Sequence, residues 1–329
     1  MAIEASVRYP GISAQGFAHP ADRAATAAIR TVPGLDRLIK LLTEHGYERR
    51  LRQLLLGNAV RIGDDQLPAV WALQQRAASV LDIDRCPKLY VTQEPVGNGL
   101  SIGTSEPVTL VSSGLVSAYS DDELGAVLAH EMGHVLADHV GLTTTLQLVQ
   151  LILRGVVSTL PLAGVPLVAI YLALLEWSRA AELTADRASA IVAGEPLVLC
   201  RTLMRMAGGP VKDLDLDAFI RQATEYRTEA DPFARYSRFF AEITTTHPFP
   251  VRRVHELIEW VSAGELDRIR SGSYLRKGQE PPPSAEFDAA FQHYRERFSQ
   301  ILERASDGIS SVFDRLTSWL RDDGNPPTG

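Results

Sequence analysis

The hydrophobic and polar positions of this chain fall into helical periods over most of its length. Leu124, Val127, Leu128 and Val135 repeat at helical spacing behind Ser120-Asp121-Asp122-Glu123. That tetrapeptide has the form of a capping box, in which the Ser120 hydroxyl accepts from the Glu123 amide while the Glu123 carboxylate reaches back. A buried or half-buried helix is therefore expected from about residue 121. A further helix is expected from about 65 to 81, and residues 20–56 carry helical patterns broken at Pro33-Gly34. Strand-like runs are few and short. Leu89 to Thr92 and Val108 to Val111 read as strands with residues 98–103 between them, and Ala59-Val60-Arg61-Ile62 reads as another. The fold class this predicts is mainly α with a small β-sheet (α+β).

From Gly155 to Leu175 no residue is charged, with Arg154 and Glu176 on the flanks. The run would cross a bilayer on length alone. Pro161, Gly164 and Pro166 interrupt it, so it reads as two helices, 141–159 and 167–193, joined by a Pro-Gly turn. Each apolar half is too short to cross alone. A buried or self-associating hydrophobic hairpin and a hairpin that docks on or enters a membrane both stay open.

Beyond residue 262, Gly272 to Ser284 contains Pro281-Pro282-Pro283 and reads as a linker or a tight polar crossing. Phe287, Phe291, Tyr294, Phe298, Ile301 and Leu302 then recur at helical spacing. Ile309, Val312, Phe313, Leu316, Trp319 and Leu320 continue the stripe in a second helix. Such stripes are core or partner contacts, the alternative being a lid or a membrane-surface helix. Asp322 to Gly329 are expected to be disordered. The organisation predicted is an N-terminal helical extension over 1–62, a central unit over 63–262 that contains the hairpin 141–176, and a linker with amphipathic helices over 263–329.

The candidate chemistry sits on the helix that starts at residue 121. Residues 130–134 read His-Glu-Met-Gly-His, the HExxH arrangement of the zincin metallopeptidases. Positions i and i+4 of a helix stand one above the other on the same face, so His130 and His134 can aim their imidazoles at one metal ion. Glu131 lies about 100° around the helix, beside that metal. Gly133 is a poor helix former and suits a place where something packs closely. His139 is five positions past His134, whereas metzincins carry their third histidine at plus six, here Val140; that class is excluded. A catalytic zinc needs a third protein ligand and an open position. Glu182 and Asp186 again share a helix face. Glu182 can be the third ligand, and Asp186 can accept from the far nitrogen of a ligating histidine. Taken alone, the pair also fits an acidic couple on a solvated face.

Four blocks, lying in order between residues 65 and 262, carry a resemblance. They are Asn98-Gly99-Leu100-Ser101-Ile102-Gly103, Ser120 to His139, Ser178 to Arg187, and Thr246-His247-Pro248 with Arg253 six positions past the histidine. The chain resembles the zinc metallopeptidases that include the heat-shock protease HtpX and the CAAX prenyl proteases, of gluzincin type. The resemblance implies a zincin fold with accessory helices and one zinc per chain held by His130, His134 and Glu182. It implies Glu131 as general base and acid, Asp186 and Arg253 behind the ligands, and His247 at the catalytic centre. His247 could donate to the oxyanion, fill the fourth zinc position in a resting state, or be a turn residue before Pro248. Asn98, Gly99, Leu100 and Ser101 match the family's Asn-Ala-Phe-Ala strand with Gly-Leu in place of Ala-Phe. An exposed edge there could add an extended substrate as a strand, or be a plain hairpin.

Composition bounds the rest. A formal net charge of −7 over 329 residues argues against a nucleic-acid partner. Arg49, Arg50 and Arg52 read as a solvated helix face. Cys86 and Cys200 are the only cysteines and lack CxxC spacing, which fits a reducing compartment. The first residues show no signal pattern. A cytoplasmic protein, with membrane association of the hairpin left open, is expected. The function this reading favours is a zinc endopeptidase acting on unfolded or damaged polypeptides. The competing class is a non-catalytic, chaperone-like or membrane-associated scaffold, for which an intact Glu131 would have no use.

Overall fold

A computed structural model describes residues 7–36, 39, 47–103, 106–156, 164–209, 211–228, 245, 247–280 and 287–301. Pro161, Thr246, Pro281-Pro282-Pro283, the stripe from Ile309 to Leu320 and the Asp322–Gly329 tail lie outside the described residues.

Helices dominate. Helix α1 (Pro20–Ile29) and α2 (Tyr47–Asn58) precede strand β1 (Val60–Ile62) and α3 (Pro68–Val80). Strands β2 (Lys88–Thr92), β3 (Gly99–Ile102) and β4 (Val108–Ser112) follow, then α4 (Ser113–Ala118) and α5 (Asp121–Leu136). Helices α6 (Val140–Val156), α7 (Gly164–Ala193), α8 (Pro196–Gly208), α9 (Leu216–Thr228), α10 (Pro250–Ser262) and α11 (Glu265–Arg270) complete the central part. A last helix, α12, covers 287–301. The architecture is mainly α with one small sheet, as the periodicity predicts.

The sheet runs β1-β2-β4-β3. β1 is antiparallel to β2, β2 is parallel to β4, and β3 is antiparallel to β4. Parallel pairing needs a crossover of about a dozen residues or more, and residues 93–107 supply it, carrying β3 on the way. β3 thereby lies at one edge of the sheet, in contact with α5 and α6.

The capping box forms: the Ser120 amide donates to Glu123 Oε2 at 2.9 Å, and the Glu123 amide donates to Ser120 Oγ at 3.4 Å. Arg205 of α8 adds a 2.6 Å ion pair to the same carboxylate, tying α8 to the start of α5. Leu124, Val127 and Leu128 pack on the sheet side with Leu89, Val111 and Leu115. Met132 and Ala129 face a second core with Leu199, Leu203 and Val254.

Helix α7 begins at Gly164, three residues before the expected start, so Pro166 lies in its first turn. The first amides of a helix have no intrahelical acceptor, so a proline there costs no hydrogen bond. Residues 157–163 lie outside the described ones. Leu142, Leu146, Val149, Leu174 and Trp177 of the hairpin are buried against Ala25, Ile29 and Leu35 and against Phe298 of α12. Among the described residues, no helix is long and apolar enough to cross a membrane. The first C-terminal stripe is thus a core contact, and Arg297 of α12 pairs with Glu176 of α7 at 3.0 Å.

The polar segment after α11 is a tight crossing. Ser13 donates its amide to the Leu275 carbonyl at 2.9 Å, Lys277 donates its amide to Gly11 O at 2.8 Å, and Ile12 bridges Arg276. Residues 11–13 and 275–277 thus lie side by side. Arg52, of the basic cluster, pairs with Glu106 at the surface.

Candidate metal centre

The site forms where α5 crosses α7. Gly133 makes the crossing possible: a Cβ there would stand 2.6 Å from the Ala188 Cβ and 3.1 Å from the Ala185 Cα. Close approach at this point brings Glu182 of α7 over the two histidines of α5. His130 Nε2 and His134 Nε2 are 3.2 Å apart. Glu182 Oε2 lies 3.3 Å from His130 Nε2, and Oε1 lies 3.3 Å from His134 Nε2. All three residues are buried.

These separations test whether the residues fit a metal. With bonds of about 2.0–2.1 Å, the edge of a tetrahedron around zinc is about 3.3–3.4 Å. The two histidine nitrogens stand near that separation, Glu182 brings one oxygen to within 3.3 Å of each, and one ligand atom from each residue lies within 4.8 Å of the others. Three ligands leave a fourth corner open, the arrangement of a catalytic rather than a structural site. Charge agrees. Glu131, Glu182 and Asp186 are buried carboxylates and Arg253 is the buried guanidinium among them. The buried carboxylates outnumber the one guanidinium, which favours a bound cation beside them. Glu131 Oε2 is buried and has no hydrogen-bond partner among the described residues, an acceptor held ready at the same place.

Behind the triangle stands a clamp. Asp186 Oδ1 is 3.0 Å from His130 Nδ1. Arg253, on α10, donates to both Asp186 oxygens and sits 3.2 Å from Glu182 Oε2. The electrostatics follow from these contacts. Burial alone would lower the His130 pKa, but the charge of Glu182 and the bonds to Asp186 and Glu182 raise it to about 9. Burial dominates at His134 and lowers its pKa. Burial would raise Glu182, yet His247, Arg253 and His130 hold it well below the usual carboxylate range. Asp186 is lowered in the same way, chiefly by Arg253. The pocket thus keeps carboxylates ionised out of water and favours a cation.

His247 stands at the mouth, just before α10, half exposed, with Nε2 3.5 Å from Glu182 Oε1. Arg179 of α7 fastens the preceding stretch by donating to the Thr245 carbonyl at 3.0 Å. On the other side is β3. Asn98 exchanges bonds with Ser112, amide to Oγ and carbonyl to amide, both 2.9 Å. Ser101 turns inward to Thr109 Oγ1 at 3.3 Å. Gly99 lies directly over the general-base candidate: a Cβ there would meet Val127 at 2.8 Å and Glu131 Oε1 at 3.1 Å. A cleft runs between Asn98, Gly99 and Val127 on one wall and Leu199, Leu203 and Met206 of α8 on the other, with Glu131, Glu182 and His247 along it.

A model of peptidase family M48 matches residues 68–261. The chain belongs to peptidase family M48. Among its M48 relatives is "Plastoglobule-localized metallopeptidase 48, chloroplastic" of Arabidopsis thaliana. The two are 36% identical over 260 residues, which cover 77% of this chain and 74% of the relative. "Protease HtpX homolog" of Moorella thermoacetica is 26% identical over 225 residues, 60% of this chain and 73% of the relative. "Protease HtpX homolog 2" of Methanosarcina acetivorans is 26% identical over 219 residues. No solved structure matches. This M48 chain is a metallopeptidase, a hydrolase whose substrates are polypeptides.

Two buried residues next to the site, Asp22 and His139, were given no role by the sequence, His139 having served only to exclude the metzincin spacing. His139 Nδ1 lies 3.0 Å from His134 Nδ1, and His139 Nε2 lies 3.1 Å from Asp22 Oδ2. The available signal was local. Asp138 has a positive φ of 58°, and the amides of Asp138 and His139 return to Val135 O at 3.3 Å and His134 O at 3.0 Å. That is a Schellman ending of α5, and it folds the residue after the turn back beneath His134.

Proposed function

We propose that this chain is a zinc-dependent endopeptidase that cuts internal bonds of extended, unfolded or damaged polypeptides. The observation that carries the reading is the buried Glu131, with one carboxylate oxygen unpartnered among the described residues, beside three buried donors close enough to share one metal ion. In this reading His130, His134 and Glu182 hold one zinc, which when bound supplies Lewis acidity and an acidified water at its open position. Glu131 accepts the proton of the attacking water and passes it to the leaving amine. The edge of β3 holds the substrate extended by backbone bonds that ignore side chains, and Gly99 lets that backbone pass against Glu131. His247 donates to the oxyanion from the mouth. Arg253 and Asp186 keep His130 and Glu182 oriented. Placement in the cytoplasm belongs to the same proposal and is supported by Cys86 and Cys200 both being free.

The test is digestion of casein by the full chain. Internal cleavage that stops with a chelator and returns with zinc is expected. A protein that binds one zinc per chain yet leaves casein intact would support the scaffold reading instead.

A further inference from the structure

The two histidines of the motif are oriented by different means. His130 meets a carboxylate directly, through Asp186. His134 meets a second histidine, and the carboxylate comes one step later. Asp22 lies on α1, in the segment before the residues the family model matches. Both Asp22 and His139 are only 2% exposed.

The hydrogen count along this chain has a direction. His134 Nδ1 and His139 Nδ1 face each other at 3.0 Å and share one hydrogen. His139 Nε2 faces the Asp22 carboxylate at 3.1 Å, which accepts only, so Nε2 carries the hydrogen. When His139 is neutral its Nδ1 is bare and His134 donates to it, which leaves the His134 Nε2 lone pair free toward Glu182 and the centre of the site. Asp22 is itself fixed from several sides. Thr184 Oγ donates to Oδ2 at 2.6 Å and Thr26 Oγ to Oδ1 at 2.9 Å. Trp177 Nε1 donates to Thr26 at 2.8 Å and lies edge-on to the His139 ring at 5.6 Å.

We propose that Asp22 and His139 are positioning residues that fix the tautomer of His134, so that a residue of the N-terminal segment tunes metal binding at the centre. The inference rests on His134 being a ligand, as proposed above. Partners of this kind typically change metal affinity by roughly 10–100-fold when removed.

The test is zinc affinity of the full-length protein by competition with a chromophoric chelator, with the melting temperature of each metal-free variant measured alongside. His139→Phe and Asp22→Asn should each weaken zinc by roughly 10–100-fold. His139→Asn, whose amide oxygen can still accept from His134, should recover much of the loss and serves as the second variant if His139→Phe does not fold. If His139→Phe and Asp22→Asn keep wild-type affinity and change only the melting temperature, the pair is a structural buttress and the inference fails. His134→Ala separates the two levels: wild-type affinity in that variant would overturn the ligand assignment itself.

Discussion

The guanidinium of Arg253 grips the Asp186 carboxylate through two nitrogens, Nε at 2.8 Å and Nη2 at 2.6 Å. The pair is buried, and the same guanidinium reaches Glu182 at 3.2 Å. One helix start, α10, therefore holds both carboxylates that α7 aims at the site.

Removing the guanidinium would leave two buried carboxylates without their cation. Arg253→Gln should destabilise the metal-free protein by roughly 3–5 kcal/mol, the cost of breaking a buried pair from one side. Added zinc should reduce the deficit, because it supplies positive charge at the same carboxylates. Arg253→Lys should not restore wild-type stability, since an ammonium cannot make the two-nitrogen grip. Urea unfolding with and without zinc checks this; a Gln variant within about 0.5 kcal/mol of wild type would contradict it.

At Gly133 two effects oppose each other. Alanine would gain about 1 kcal/mol of helix propensity. Its Cβ would also come 2.6 Å from Ala188 Cβ, a backbone-fixed atom on α7. Overpacking of this kind costs about 1–3 kcal/mol, so it wins. Gly133→Ala should lower the melting temperature, and by pushing α7 away it should also reduce the zinc bound per chain.

How much was legible follows from such pairs. Within α5, local rules suffice: the capping box, the apolar spacing and the HExxH register all act over a few residues. Glu182 and Asp186 stand out because they are four apart on one helix. Their arrival over His130 depends on the crossing at Gly133, of which the sequence shows only a small residue. The parallel pairing of β2 with β4 is not written in either strand, because the intervening segment decides direction. Asp22 lies far from His139 in sequence, before the region that the family model matches, and nothing local marks their approach. Pro166 reads as a breaker, yet a first-turn position tolerates it.

The N-terminal segment is stapled to α10 by His19 and Glu256, 3.3 Å apart. The hydrogen bond from His19 outweighs burial and brings the Glu256 pKa down to about 2. The folded value lies below the unfolded one near 4.3, so Glu256 stabilises the fold above about pH 4.3 and the benefit fades as pH falls toward about 2. Glu256→Gln should therefore cost on the order of 1–2 kcal/mol at neutral pH, after allowing for solvent screening. The gap from wild type should close through that acid window. A gap independent of pH would place the effect in packing instead.

For His247 the sign of the rate change decides its role. With its ring at the mouth, 3.5 Å from Glu182 Oε1, oxyanion donation predicts that His247→Ala loses roughly 10²–10³-fold in kcat with bound zinc unchanged. A gain in activity would mark it as a plug on the open position. A change under about twofold, less than half a kcal/mol, would leave it a turn residue.

The most direct test of Glu131 as the base is Glu131→Gln, which keeps the shape of the side chain and removes its ability to take a proton. Zinc content and melting temperature should match wild type, while casein cleavage should fall by 10²–10⁴-fold or more. Cleavage at the wild-type rate by a zinc-loaded Glu131→Gln protein would contradict the proposed mechanism outright.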